Sequence, residues 1–201
     1  VLLEKPMGTN YDEALKLKNS QNYENQLWLG LNYRFFNGLN HLIKDVRNNV
    51  FGQLVSINIL MGHGGEPSYR HNWKVGSVES GGGVLINEGI HLIDLCILLA
   101  GKDIEVVKGL KFNGFWGKSF EEECHFLLRS SSVPLINFQV SILKWRSTFR
   151  VEVYGIDGYG IVEGRGRSYG PQTYKRGSRW GRFSYFSIKK ASKKRRCIKC
   201  S

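Results

Sequence analysis

From Cys124 to Val153 apolar side chains recur at alternate positions, and this alternation limits the possible folds more than any other feature of the chain. Cys124, Phe126 and Leu128 share one parity before a Ser130-Ser131-Ser132-Val133-Pro134 turn. Ile136, Phe138, Val140 and Ile142 share one after it, and Val151 and Val153 begin another strand that turns back at Asp157-Gly158. A period of two sends successive side chains to opposite faces, so each strand buries one face and pairs with neighbours through short turns. Val55, Ile57 and Ile59, alternating with Ser56 and Asn58, add a strand of the same kind. Between them, Val84–Ala100 reads as one helix, with Ile86, Ile90, Ile93 and Ile97 repeating at i, i+4, i+7 and i+11 as its core stripe. Residues 53 onward therefore predict an open, mainly antiparallel sheet with a covering helix, an α+β layer.

The first 52 residues follow another rhythm. Val1-Leu2-Leu3 reads as the end of a buried strand, with Glu4-Lys5-Pro6 at its carboxyl end. Asn10, with Glu13 three positions on, makes a capping-box pattern that opens a helix over Tyr11–Asn19, where Ala14, Leu15 and Leu17 supply apolar surface. Leu27-Trp28-Leu29-Gly30-Leu31 suits a buried parallel strand. A helix over Leu39–Val50 follows, with Leu42, Ile43 and Val46 on one side and Gly52 beyond its end. Strand–helix–strand–helix is the order of parallel α/β winding. A strand at residue 1 is expected to be part of a sheet cut midway.

Charge separates the chain in a different way. The net charge is +12, yet residues 165–201 hold 13 Lys and Arg and no Asp or Glu, leaving 16 basic and 17 acidic residues in 1–164. The body is neutral and the excess is a tail. Lys189-Lys190, Lys193-Lys194-Arg195-Arg196 and Lys199, with Tyr174, Trp180, Phe183, Tyr185 and Phe186 interleaved, could hold phosphates and stack bases, or lie on an anionic membrane surface. No fold signal accompanies the charge, so residues 181–201 are expected to be a disordered end or the product of a shifted reading frame, and nucleic acid is not expected as a partner. No apolar run approaches the ~18 residues of a membrane span. Cys96 and Cys124 lie in apolar patterns as small buried hydrophobes, which suits a reducing, cytoplasmic setting. Cys197 and Cys200 form a lone C-x-x-C with no second ligand pair, so no metal site is expected.

Two segments could carry chemistry. On a helix, Asn87, His91 and Asp94 share an edge beside the Ile stripe, behind Gly81-Gly82-Gly83, which allows close backbone approach. His91 can exchange a proton near neutral pH, with Asn87 or Asp94 fixing its tautomer. The alternative is a buried histidine satisfied by its helical neighbours. Lys5, at a strand's carboxyl end where open parallel sheets bind ligands, is either a proton donor and substrate anchor or a solvated lysine beside a turn proline.

Taken in order, E-K-P after a strand, N-Y-R-F after the next, R-x-x-W at Arg70–Trp73, G-G-G-x-L-x-N-x-G-x-H-x-x-D, and the Gly164–Tyr174 stretch resemble the glucose–fructose oxidoreductase/inositol dehydrogenase (Gfo/Idh/MocA) family, from Val1 to about Trp180. The resemblance implies an NAD- or NADP-dependent oxidoreductase of sugars, cyclitols and related polyols. It implies a partial Rossmann domain over residues 1–36, then a C-terminal α/β domain over 37–180 whose large open sheet mediates homo-oligomer contacts. It assigns Lys5 the place beside nicotinamide and carbinol, His91 that of general acid/base, and Asn87 a place where many relatives carry Asp. Glu4, Pro6, Arg34 and Trp73 fall where relatives border the cofactor. An amide at 87 cannot raise the histidine pKa as a carboxylate would, though it still hydrogen-bonds. The G-x-G-x-x-G turn and the acidic ribose-binding residue are not among the 201 residues; the glycines at 155–164 have the wrong spacing and a hairpin context. The chain is therefore expected to be a family member truncated at its N-terminus and to bind NAD(P) poorly by itself. A non-catalytic interaction module with a polyanion-binding tail is the alternative.

Overall fold

The computed structural model describes residues 1–20, 27–71, 81–117 and 119–179, together with the backbone of 196–199. Trp73 and most of the basic tail lie outside the described residues.

A small parallel pair opens the chain. β1 (Leu2–Leu3) and β2 (Trp28–Leu29) pair in register Leu2↔Trp28 and Leu3↔Leu29, with α1 (Tyr11–Asn19) between them in sequence. The capping-box pattern works with one variation. The Asn10 side chain accepts from the Glu13 N–H at 3.0 Å, while Glu13 reaches past the cap to the Thr9 N–H and hydroxyl. No residue of α1 is buried, so Ala14, Leu15 and Leu17 do not form the packed face that the sequence suggests. Two short strands offer a helix too little sheet to cover it.

After a 3₁₀ turn at Asn32–Phe35, α2 (Asn37–Arg47) buries Gly38, Leu39, Leu42 and Ile43. It packs not on β1 and β2 but on β8 (Gly158–Glu163), β9 (Thr173–Ser178) and α3 (Ile90–Ala100). It ends earlier than the apolar pattern suggests, because Asn49 turns left-handed at φ 55° and Gly52 at φ 68°.

The second unit is one large sheet. With β3 (Leu54–Gly62), β4 (Glu105–Phe112), β5 (Glu123–Arg129), β6 (Leu135–Ser141) and β7 (Thr148–Gly155), its order is β10-β9-β8-β7-β3-β6-β5-β4. Every neighbouring pair is antiparallel except β3 and β6. β10 is Arg196–Lys199, so this part of the basic tail is an edge strand on β9 rather than the structureless end expected of it. The expected parity holds through the sheet: Ile57, Ile59, Cys124, Leu128, Ile136, Phe138, Val140, Val151 and Val153 are all buried on the helix-covered face. Val55 departs from it, because a bulge between Leu54 and Ser56 adds a residue to β3 and leaves Val55 exposed. Cys96 and Cys124 are buried and unpaired, and burial pushes both thiols up to about 12. No described helix is long and apolar enough to cross a membrane.

The segment read as one helix over 84–100 is two elements: a wide π-helical turn, Leu85–Gly89, and then α3. The wide turn holds an extra residue per turn, so a stripe drawn at a constant angle breaks at Gly89. The core face of α3 is Leu92, Leu95, Cys96 and Leu99, while Ile93 and Ile97 are 40% and 39% exposed. This reverses the sequence expectation for the isoleucines. Accordingly, Leu95→Ala should cost about 2–5 kcal/mol in chemical denaturation. Ile93→Ala should cost under about 1 kcal/mol, and equal losses would contradict this face assignment.

Candidate active site

The site forms where the carboxyl ends of β1, β2 and β3 come near the start of α3. Two glycines and a carboxylate fix that start. Gly83 and Leu85 N–H donate to Glu121 Oε1 at 3.1 and 3.2 Å, and Val84 N–H donates to the Glu121 carbonyl. A Cβ on Gly83 would stand 2.1 Å from that carbonyl oxygen, so the approach requires glycine. Gly81, at φ 77°, passes close to Thr9 in the loop after β1, where a Cβ would stand 2.9 Å from the Thr9 carbonyl oxygen.

This placement lets Lys5 reach the wide turn that leads into α3. Lys5, next to a cis Lys5–Pro6 peptide, donates from Nζ to the backbone carbonyl of Asn87. Thus two of the sequence-derived candidates, Lys5 and Asn87, touch directly, through the Asn87 backbone. One helical turn on, the His91 ring stacks on Tyr33 with centroids 4.2 Å apart and planes within 5° of parallel. Only 6% of His91 is exposed, and its Nδ1 is buried with no hydrogen-bond partner. Burial, reinforced by the positive charges of Lys5 and Arg165, lowers the His91 pKa to about 4. At neutral pH the imidazole is therefore uncharged, in contrast with the titration near neutrality expected from sequence.

Asp94 does not orient His91. Its carboxylate takes a two-pronged grip from Arg34, with Nε–Oδ2 at 3.1 Å and a second bond from Nη2 to Oδ1. That fork ties the turn after β2 to α3. Glu4 is exposed at the end of β1, close to Gly30. Glu4, Pro6 and Arg34 thus flank Lys5 at the β1 and β2 ends. Trp73 lies outside the described residues.

Several site residues escaped the sequence reading. Tyr33 is 3% exposed, and its hydroxyl meets Glu88 Oε2 at 3.4 Å, Met61 Sδ at 3.3 Å and a donor nitrogen of Arg165. Burial, then Glu88, raises the Tyr33 pKa. Arg165 lies over Tyr33 and Tyr169, at 5.1 and 4.2 Å from the ring centroids. His63 and Tyr69, in edge-to-face contact at 6.1 Å, also feel the charge of Glu88. Burial lowers the His63 pKa and raises that of Tyr69. The result is a cluster of aromatic rings with two cations, one acid and an uncharged imidazole. Such a cluster has the groups to take a proton from a hydroxylated ligand and to stabilise the oxygen left behind. Tyr33 carried a signal in its N-Y-R-F motif and Arg165 in the Gly164–Tyr174 stretch; Glu88 carried none of its own.

No curated protein matches the sequence. Solved structures do match by fold. The WlbA dehydrogenase from Chromobacterium violaceum, in complex with NADH and UDP-GlcNAcA, superposes with a TM-score of 0.70 at 21% identity, covering 80% of this chain and 48% of that one. A levoglucosan dehydrogenase in complex with NADH and levoglucosan gives 0.75 at 14% identity, covering 89% and 53%. A myo-inositol dehydrogenase from Corynebacterium glutamicum gives 0.66 at 21%, covering 81% and 49%. The chain spans about half the length of these proteins. The family model for the oxidoreductase family's C-terminal alpha/beta domain matches residues 43–181, and the chain belongs to that family, the Gfo/Idh/MocA oxidoreductases.

Proposed function

We propose that this chain carries the proton-transfer and substrate-holding part of an NAD- or NADP-dependent dehydrogenase acting on a sugar or polyol. The observation that carries this reading is the convergence of Lys5 and Asn87 with a buried, uncharged His91 whose Nδ1 has no partner. A buried nitrogen without a partner costs about 1–3 kcal/mol, which a ligand hydroxyl donating to it would offset.

The residues at the β1 and β2 ends suit the nicotinamide end of such a cofactor, since ligands of open parallel sheets sit beyond carboxyl ends of strands. Glu4, Pro6 and Arg34 would border it; Trp73 joins them by resemblance. Bound there, a nicotinamide supplies a hydride acceptor. The turn that would hold the pyrophosphate is not among these residues. The WlbA and levoglucosan dehydrogenases named above are crystallised with NADH, in keeping with this assignment.

In the reaction, the substrate hydroxyl donates to the uncharged His91 imidazole, which takes its proton. Lys5 Nζ, anchored by the Asn87 carbonyl, holds the same oxygen and stabilises the negative charge that develops on it. Tyr33 stacking fixes the imidazole plane, and the aromatic walls exclude water. His91 accepts a proton only in its neutral form, which is populated above a pKa of about 4. The rate limb set by His91 should therefore lie near pH 4 rather than 6.5, with activity retained through pH 5.

In the full-length protein that carries these residues, assayed with a sugar panel and either dinucleotide, His91→Ala should lower kcat by about 10²–10⁴. Unchanged turnover would reduce His91 to a packing residue. The same reading makes the chain a homo-oligomer through the uncovered sheet face. There Leu110 is 65% exposed, beside a hollow of about 530 Å³ lined by Leu60, Lys108, His125, Leu127 and Gln139. Sedimentation of Leu110→Asp should show a smaller species than the wild type; identical species would count against that face.

A further inference from the structure

We infer that the cleft beside His91 takes a sugar bearing an anionic group, a carboxylate or a phosphate, and that Arg165 grips that group. The inference rests on the proposed dehydrogenase reading and deepens it by naming the substrate class.

Arg165 follows β8 and the left-handed Gly164 at φ 73°. Its guanidinium lies over two aromatic rings and hydrogen-bonds to the Tyr33 hydroxyl and to Tyr169. Four other arginines in the described residues grip a carboxylate: Arg34 holds Asp94, Arg129 holds Glu105, Arg150 holds Glu152 and Glu163, and Arg176 holds Asp45. Arg165 makes no such ion pair among the described residues, and Glu88, the acid nearest in its field, meets the Tyr33 hydroxyl instead. A guanidinium has five donors in a rigid fork, and two tyrosines cannot saturate it. Among the described residues only the field of Glu88 offsets the charge of this half-buried cation, with no carboxylate in its fork, and a ligand anion would fill that place.

The neighbourhood of His91 has the same bias. The two charges that act on the imidazole are Lys5 and Arg165, both positive. Residue 87 is an amide, and Asp94 is neutralised by Arg34. An anionic group on the substrate restores the balance. Arg165 also lines an open hollow of about 360 Å³ with Phe35, Phe36, Asn37, Pro171 and Gln172, room for the anionic end of a ligand.

The test is calorimetric titration of the 201-residue chain with D-glucuronate, D-glucose 6-phosphate and D-glucose, which needs no dinucleotide. At least one anion should bind about tenfold or more tightly than glucose, and the arm that does so tells carboxylate from phosphate. Arg165→Gln should abolish the preference, and Arg165→Lys, which keeps the charge but loses the fork, should weaken it. Circular dichroism checks that each variant folds, and if Arg165→Gln does not, Arg165→Lys decides. Equal affinity for all three ligands, no binding of either anion, or a preference that survives substitution would overturn the inference and show that Arg165 only clamps the two tyrosines. Turnover of neutral sugars without anion preference would sink this inference alone. Anion binding at Arg165 in a protein that never oxidises a sugar would sink the dehydrogenase reading alone.

Discussion

The start of α3 must pass between two backbones that leave no room for a side chain, and the rest of the site depends on that passage. Gly83 lies against the Glu121 carbonyl on the sheet side, and Gly81 against Thr9 on the β1 side. Gly89 then passes 2.9 Å from Leu85 and 3.3 Å from Val140, measured from where its Cβ would be. At Gly83 and Gly81 the opposing atoms are backbone, so only glycine permits these approaches. They bring the small parallel pair and the large sheet to the same helix end, which is why Lys5 can bond to Asn87 across 82 residues of sequence.

Once the backbone is set, electrostatics decides what His91 can do. A histidine in water is half charged near pH 6.5. Here burial removes water, and Lys5 and Arg165 oppose a further positive charge. The imidazole is thus kept in the form that accepts protons, while Tyr33 fixes its plane. The acid that might have countered this, Asp94, is occupied by Arg34 and serves to tie the two sheets' elements together.

The large sheet was legible because its strands are long and buried on one face, so that Ile136, Phe138 and Val140 had to alternate. Lys5, Asn87 and His91 were legible as candidates through motifs in a fixed order. The helix face was not. A constant angle per residue selected Ile86, Ile90, Ile93 and Ile97, whereas the wide turn at Leu85–Gly89 handed the core to Leu92, Leu95 and Leu99. Because nearly every residue of α3 is apolar, periodicity had little contrast to work with. Arg165 was hidden for another reason. Counted along the chain, it is the first charge of the basic tail; folded, it leaves the end of β8 and joins Tyr33 and Tyr169 in the cleft. Tyr33, Glu88 and Arg165 come from three distant segments, and such a meeting has no signature in spacing.

The most direct test of this account is an NMR titration of the His91 ring in a chain labelled at histidine, with His91→Gln used to assign the resonance. The account predicts an imidazole that stays neutral through pH 6 and titrates near 4. A midpoint near 6.5 would show a histidine exposed to solvent and untouched by Lys5 and Arg165, and would contradict the site described above.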